Sequence, residues 1–145
     1  EGVMIAYTSV YGNTKQAAEL LAKELEQKGC PKVVVADLAR EDMAEAVEDA
    51  FRYDRLVLAT TTYNAGIFPF MREFINHLTE RGFKNRKIGL VENGTWAPTA
   101  AKTMKEMLAG CKNLEFAETT VQIKSALNDT SKAQLESLAA ELCAD

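Results

Sequence analysis

The chain has little of what disulfide-bonded and membrane-bound proteins need. It contains three cysteines, Cys30, Cys111 and Cys143, which lie far apart and form no C-x-x-C pair. We therefore expect no disulfide framework and a reducing, cytoplasmic location. No apolar run approaches the roughly 18 residues of a membrane span, and no signal peptide begins the chain, so we expect no membrane association.

Histidine and basic charge are also scarce. The single histidine, His77, is four residues from both Glu73 and Arg81 on a predicted helix, which is typical of an exposed position. The apolar stripe of that helix is predicted to be Phe70, Phe74 and Leu78. One histidine and three scattered cysteines supply no metal-ligand set, so we expect no metal centre. The 21 acidic and 17 basic residues give a net charge of −4, which argues against a nucleic-acid partner.

Common catalytic and nucleotide-binding motifs are absent too. The sequence has no G-x-G-x-x-G, G-x-x-x-x-G-K-[ST], G-x-S-x-G or H-E-x-x-H. No nucleophile or acid–base set lies in the segments where a ligand is expected. We therefore predict no catalytic residue in this chain.

A regular alternation of apolar runs and helix-patterned segments is the main feature that is present. Five strand–helix repeats within 145 residues predict one α/β domain, residues 1–145, with a parallel sheet between two helical layers. For five strands the expected order is 2-1-3-4-5. The predicted strands are residues 3–7, 33–36, 55–61, 87–91 and 114–123. The predicted helices are residues 13–28, 41–51, 69–81, 98–108 and 131–142.

In such a sheet, ligands bind beyond the carboxyl ends of the strands, where the strand order reverses. Three segments predicted to be loops open into that gap: residues 8–14, 60–68 and 92–98. The first is rich in hydroxyl groups and leads into a helix, an arrangement that binds phosphate through backbone amides and side-chain hydroxyls. It contains no lysine or arginine, which favours one terminal phosphate over a triphosphate.

The phosphate-binding side chains predicted in the first segment are Thr8, Ser9 and Thr14. A simpler interpretation is that Ser9, Asn13 and Thr14 only cap the helix. Capping needs one such residue, whereas this segment supplies several, so we favour the phosphate site.

The second and third segments each carry an aromatic residue, Tyr63 and Trp96. Two aromatic side chains beside glycine-containing backbone form a plausible slot for a flat heterocycle. The simpler interpretation is that both pack over the loop ends. Combined with a phosphate site, they favour a phosphorylated planar cofactor.

The stretch Ser9-Val10-Tyr11-Gly12-Asn13-Thr14 resembles the FMN phosphate loop of flavodoxins. Together with Thr62-Tyr63-Asn64-Ala65-Gly66 and Trp96, it is most similar to the C-terminal flavodoxin module of flavodiiron (A-type) flavoproteins. The third segment, Glu92-Asn93-Gly94-Thr95-Trp96, departs at four of five positions from the Gly-Ser-Tyr-Gly-Trp frequent in that family. The resemblance implies a flavodoxin-like three-layer sandwich of the short-chain type.

FMN is the cofactor that this resemblance implies. The residues it assigns to the FMN site are Thr8, Ser9, Val10, Tyr11, Gly12, Asn13, Thr14, Thr61, Thr62, Tyr63, Asn64, Ala65, Gly66, Glu92, Asn93, Gly94, Thr95 and Trp96. The peptide at 64–66 is the candidate for a redox-dependent hydrogen bond to flavin N5. No cation lies in the two ring segments, and Glu92 adds negative charge at one of them, so we expect negative charge on the ring to be disfavoured.

The implied function is transfer of one or two electrons to a redox partner, as in flavodiiron proteins that reduce oxygen or nitric oxide. The partners would be a diiron domain and a rubredoxin- or ferredoxin-type donor. One histidine cannot supply a diiron site, so the chain would be the flavin half of such an oxidoreductase. Its first residue, Glu1, is not methionine, which fits a module of a longer chain whose other domain would mediate oligomerisation.

Other functions stay open at this point. The chain is compatible with a free-standing short-chain flavodoxin, with a small NAD(P)H-dependent quinone reductase, or with an interaction module that has lost FMN. An acidic run on the second predicted helix would steer a basic redox partner or would simply be a solvated face. That run consists of Glu41, Asp42, Glu45, Glu48 and Asp49.

Overall fold

Strands and helices alternate along the chain in the computed structural model, which describes residues 2–9, 12–63, 66–67, 69–94, 99–124 and 127–143. The strands are β1 (Val3–Tyr7), β2 (Val33–Asp37), β3 (Arg55–Tyr63), β4 (Gly66–Ile67), β5 (Lys84–Asn93) and β6 (Lys112–Ile123). The helices are α1 (Asn13–Gln27), α2 (Met43–Arg52), α3 (Pro69–Glu80), α4 (Ala100–Met107) and α5 (Asp129–Cys143). The five predicted strand–helix repeats are confirmed.

The sheet is parallel and has the order β2-β1-β3-β5-β6. Val3 of β1 lies opposite Val33 of β2 on one side and opposite Arg55 of β3 on the other. The two-residue β4 lies off this path and runs antiparallel to the end of β3. Apart from β4, the order is the predicted 2-1-3-4-5, and it reverses at β1.

Two strands extend further toward their carboxyl ends than predicted. β3 continues through Tyr63 and β5 through Asn93. The strands stay paired there, with Thr60 opposite Glu92 and Thr61 opposite Asn93. Threonine and tyrosine are favoured in strands, and here the neighbouring strand supplies the pairing that they need. The prediction that these strands end at Thr61 and Val91, with residues 62–63 and 92–93 in loops, is therefore wrong, whereas Thr60 and Thr61 lie in the strand predicted for residues 55–61.

Two helices begin later than predicted. α2 begins at Met43 because the Asp42 carboxylate caps it, accepting a hydrogen bond from the Ala44 N–H at 3.0 Å. α4 begins at Ala100, after residues 95–98, which lie outside the described part of the chain. None of the described helices combines the length and the apolarity needed to cross a membrane.

Helices cover both faces of the sheet. α2, α3 and α4 pack on one face, where Met4 and Phe74 are fully buried, and α1 and α5 pack on the other, around Leu21 and Leu138. The first four residues of β1 have no exposed surface, so this strand is the centre of both cores. The valines of the edge strand β2, predicted to be covered on both faces, are only half-buried.

The buried face of α3 differs from its prediction at one aromatic residue. The buried residues are Met71, Phe74, Ile75 and Leu78, which follow the i, i+3, i+4, i+7 spacing of one helix face. Phe70, assigned to this face by the sequence, is 47% exposed, so that assignment is wrong. His77 is half-buried at the helix surface, with 39% of its side chain exposed, and its ring nitrogens lie 3.8 Å from carboxylate oxygens of Glu73 and Glu80.

A carboxylate near the end of the chain joins α5 to β6. Glu141 accepts hydrogen bonds from the Thr119 N–H, at 3.0 Å, and from the Thr119 hydroxyl. Burial alone would raise the pKa of Glu141, but these bonds, a further one from the Glu118 backbone and the nearby Lys87 charge together lower it below its ordinary value of 4.5. Folding is therefore stabilised by the charged form of Glu141.

We predict that Thr119→Val lowers the free energy of unfolding by about 1 kcal/mol near neutral pH, because Glu141 loses its hydroxyl partner. A carboxyl group with a lowered pKa stabilises the fold above the ordinary pKa, and that contribution is lost as the pH falls through the lower value of the folded protein. The difference between wild type and variant should therefore shrink on acidification. Urea unfolding at a series of pH values measures it.

The matched control is Thr120→Val, the same change on the next residue of β6. It should leave the pH-dependent part of the stability unchanged. Equal pH dependence in wild type and Thr119→Val would contradict the role given to Glu141.

Candidate functional site

The carboxyl edge of the sheet brings together the ends of three strands and the starts of two helices. β1 ends at Tyr7, β3 at Tyr63 and β5 at Asn93, while α1 begins at Asn13 and α4 at Ala100. A helix N-terminus carries unpaired N–H groups and a partial positive charge. This edge therefore offers neutral hydrogen-bond donors to an anionic ligand.

The three predicted segments meet at one buried hydroxyl group, that of Thr14. The Thr14 side chain is 1% exposed and belongs to the first segment. Its Oγ1 lies 3.4 Å from Oγ1 of Thr61, in the second segment. It also accepts a hydrogen bond of 3.3 Å from Nδ2 of Asn93, in the third. Segments separated by up to 79 residues are thus joined within a few ångströms.

The first segment is shaped by Gly12 and Ser9. Gly12 has a φ of 88°, in the left-handed region that favours glycine, and stands directly before α1 without a capping side chain. Ser9 Oγ instead accepts hydrogen bonds from the N–H groups of Gly12, at 3.1 Å, and Lys15, at 3.3 Å. The capping interpretation therefore applies to Ser9, and the Lys15 side chain that follows the segment is exposed.

The hydroxyl group of Thr8 is hydrogen-bonded to that of Thr60, a partner that could not be predicted from the sequence. Its Oγ1 lies 2.5 Å from Oγ1 of Thr60, and both side chains are buried, at 2% and 0% exposure. Two hydroxyls bonded to each other use one of their two hydrogens, which leaves one O–H donor. Thr60 was overlooked because a threonine within a strand pattern carries no signal of its partner on another strand.

Thr62 and Glu92 contact the start of α4. Thr62 Oγ1 accepts hydrogen bonds from the N–H groups of Thr99, at 3.1 Å, and Ala100, at 3.3 Å. The Glu92 side chain, 3% exposed, accepts one from the Ala101 N–H at 3.0 Å. Both side chains were predicted to contact the cofactor, and the structure directs their acceptor atoms to this helix.

The other oxygen of Glu92 accepts a hydrogen bond of 2.9 Å from Nε2 of Gln122, on β6. Gln122 lies opposite Glu92 in the register of β5 and β6. Its part in the site was missed by sequence reasoning, because only this register brings the two residues together. Next along the chain, the Gly94 N–H donates to the carbonyl oxygen of Ile123 at 2.9 Å.

Part of the predicted site lies outside the described residues. These predicted site residues are Val10, Tyr11, Asn64, Ala65, Thr95 and Trp96. For Tyr63 and Gly66 only the backbone is described, and the two residues pair across the hairpin of β3 and β4. The stacking slot between Tyr63 and Trp96 stays a prediction.

The described residues of the three segments include no lysine or arginine. Tyr7, the last residue of β1, has its pKa raised to about 12, first by burial and then by the carboxylates of Asp37, Glu19 and Glu41. Glu92 is a further buried acidic group. The site therefore combines neutral donors with negative surroundings.

A cavity of about 400 Å³ lies elsewhere, at the opposite, amino edge of the sheet. It is lined by residues such as Phe83, Lys84, Met107 and Cys111 and contains none of the predicted site residues. Parallel α/β sheets bind their ligands at the carboxyl edge. The convergence of polar groups at Thr14, rather than cavity volume, identifies the candidate site.

The chain matches the family described as "Flavodoxin domain" over residues 4–137. It belongs to the flavodoxin family. The rubredoxin-oxygen oxidoreductase of Megalodesulfovibrio gigas is 22% identical over 139 residues, which are 94% of this chain and 34% of that relative. The flavodoxin domain thus spans about a third of this relative's length.

Two solved structures share the fold of this flavodoxin domain. The rubredoxin oxygen:oxidoreductase from Desulfovibrio gigas superimposes with a TM-score of 0.89 and 21% identity, over 97% of this chain and 34% of its own. Oxidised flavodoxin 1 from Bacillus cereus does so with a TM-score of 0.83 and 16% identity, over 98% and 97%. At these identities the likeness confirms the flavodoxin-like α/β fold. FMN, predicted from the sequence, is the cofactor of this family.

The groups described in this flavodoxin domain fit an FMN phosphate. The N–H groups of Gly12 and Lys15 already point at a single acceptor, Ser9 Oγ, at the start of a helix. Neutral donors of this kind suit one phosphate monoester with its charge at a helix N-terminus.

We predict that the buried hydroxyl groups of Thr8 and Thr60 contribute to stability jointly, through the bond between them. Thr8→Val should destabilise the flavodoxin domain by about 1–3 kcal/mol, because Thr60 is left buried without its partner. The double variant Thr8→Val, Thr60→Val should recover much of that loss, since both polar groups are then replaced by apolar groups of the same shape. Urea unfolding of the four proteins gives the coupling energy. Additive losses would contradict the pairing.

Proposed function

We propose that this chain is an FMN-binding electron-transfer module. The observation that supports it is the meeting of the three polar segments at Thr14, at the edge where parallel α/β sheets bind ligands. When bound, FMN accepts and releases electrons one or two at a time. The chain's own residues bind the cofactor, orient it and set the charge around it.

The phosphate is held by the first segment. Ser9 and Thr14 supply hydroxyl groups and the start of α1 supplies backbone N–H groups, with Gly12 providing the turn between them. The ring is held between the second and third segments, with Tyr63 and Trp96 as its stacking partners. The remaining predicted residues of those segments offer backbone and amide groups to its edge.

The charge of the side chains around the flavin ring determines whether its reduction potential is raised or lowered. No cationic side chain occurs in the ring segments, and the carboxylate of Glu92 is buried next to them. These surroundings disfavour negative charge on the ring. About 1.4 kcal/mol of such destabilisation lowers a one-electron potential by about 59 mV.

The electron acceptor is the diiron domain of a flavodiiron oxygen or nitric oxide reductase, and the donor is a rubredoxin- or ferredoxin-type protein. This is supported by the rubredoxin-oxygen oxidoreductase of M. gigas, of which the chain matches 34%. The module acts in the cytoplasm and forms part of a larger assembly.

A free-standing short-chain flavodoxin is the second candidate, supported by the 97% of B. cereus flavodoxin 1 that the chain covers.

We predict that the purified chain takes up FMN and becomes yellow, and that Ser9→Ala weakens FMN binding by about 10- to 100-fold. A lost hydrogen bond to a charged group costs about 1.5–3 kcal/mol, which corresponds to that range. Riboflavin, which lacks the phosphate, should bind wild type and Ser9→Ala equally well. Quenching of flavin fluorescence measures both affinities.

The control is Ser137→Ala, the same substitution at an exposed position of α5, which should leave both affinities unchanged. A chain that takes up no FMN would exclude the electron-carrier function. An equal loss of riboflavin and FMN affinity in Ser9→Ala would show that Ser9 does not bind the phosphate. Oxidation of NAD(P)H by the isolated chain would instead favour a reductase.

A further inference from the structure

The start of α4 is held by residues from other parts of the chain. A helix leaves its first N–H groups without intrahelical partners, and the residue before the helix ordinarily caps them. Here that residue is Thr99, which makes no side-chain cap. Its hydroxyl is buried and has no partner among the described residues.

Two distant strands supply the missing acceptors. Thr62, on β3, accepts from the N–H groups of Thr99 and Ala100, and Glu92, on β5, accepts from that of Ala101. Three consecutive N–H groups are therefore capped from strands that end at the cofactor edge. A carboxylate at a helix N-terminus is also stabilised by the helix dipole.

The same bonds fix both ends of the segment that contains Trp96. Before it, the Gly94 N–H donates to Ile123 at 2.9 Å, and Glu92 is held by Gln122. After it, the Thr99 N–H donates to Thr62. Gly94 and Thr99, the described residues on either side, are thus held by strand pairing and by the Thr62 cap.

Both carboxylate oxygens of Glu92 are engaged by these contacts. Its two oxygens accept bonds of 3.0 and 2.9 Å from Ala101 and Gln122, and 3% of the residue is exposed. A buried carboxylate that loses one of its partners is strongly destabilised. Glu92 is therefore suited to hold the protein around the cofactor rather than to contact the cofactor itself.

We propose that Thr62 and Glu92 are positioning residues that act on the cofactor through the start of α4. Their acceptor groups replace the cap that Thr99 does not supply, and so hold the start of α4 against the strand ends at the cofactor edge. The effect on binding rests on the proposed function, whereas the capping does not.

The first test measures amide hydrogen exchange at Thr99, Ala100 and Ala101 in the protein without FMN. Thr62→Val should speed exchange at Thr99 and Ala100 by about tenfold, and Glu92→Ala should do the same at Ala101. Thr62→Ser and Glu92→Gln keep an acceptor atom and should stay within about threefold of wild type. Thr99→Val is the control, because its hydroxyl caps nothing, and it should leave exchange unchanged.

The second test measures the affinity for FMN. Glu92→Ala and Thr62→Val should weaken it by about tenfold, and their conservative variants should restore it to within about threefold of wild type. The matched control for the charge is Glu106→Ala, at an exposed position of α4. It should leave the affinity for FMN unchanged. Rescue by Glu92→Gln separates positioning from a role that needs the charge.

Two results would overturn the inference. One is weaker FMN binding in Glu92→Ala with unchanged exchange at Ala101, which would mean direct contact with the cofactor. The other is exchange that responds to Thr99→Val and not to Thr62→Val. A wild-type chain that takes up no FMN would end the proposed function and the binding half of the inference, and the exchange measurements would still decide the capping.

Discussion

Parallel pairing of β1 with strands on both of its sides is the constraint on which the rest of the structure depends. The first four residues of β1 have no exposed surface, and Tyr7 lies opposite Asp37 on one side and Ala59 on the other. Because the strands run in the same direction, every carboxyl end reaches the same edge. The chain leaves that edge in opposite directions on the two sides of β1, which opens the gap where the polar segments meet.

Thr8, Thr14 and Thr60 are buried at this edge, so their hydroxyl groups must find partners within the protein. Thr14 bonds to Thr61 and Asn93, and Thr8 bonds to Thr60. Buried polar networks whose members are satisfied hold a single arrangement, because any displacement leaves a polar atom without a partner. The described side chains around Thr14, which we propose to lie at the phosphate site, are thus positioned by the fold before a ligand arrives.

Much of the fold and part of the site could be predicted from the sequence, for identifiable physical reasons. Alternating hydrophobic periods predict five strand–helix repeats, for which the doubly wound order is expected, and the hydroxyl-rich stretch before α1 indicates a phosphate site. The ends of β3 and β5 were misplaced because residues such as Thr62 and Asn93 have the composition of a loop until a neighbouring strand pairs with them. The contact of Glu92 with Gln122 depends on strand register, which no local pattern encodes.

The central claim, that the carboxyl edge around Thr14 binds FMN, is tested most directly by mapping amide chemical-shift changes as FMN is added. The account predicts the largest changes at Gly12, Thr14 and Asn93, with little change at the amino edge of the sheet. The largest changes around the cavity near Phe83 and Cys111, or no changes at all, would contradict it.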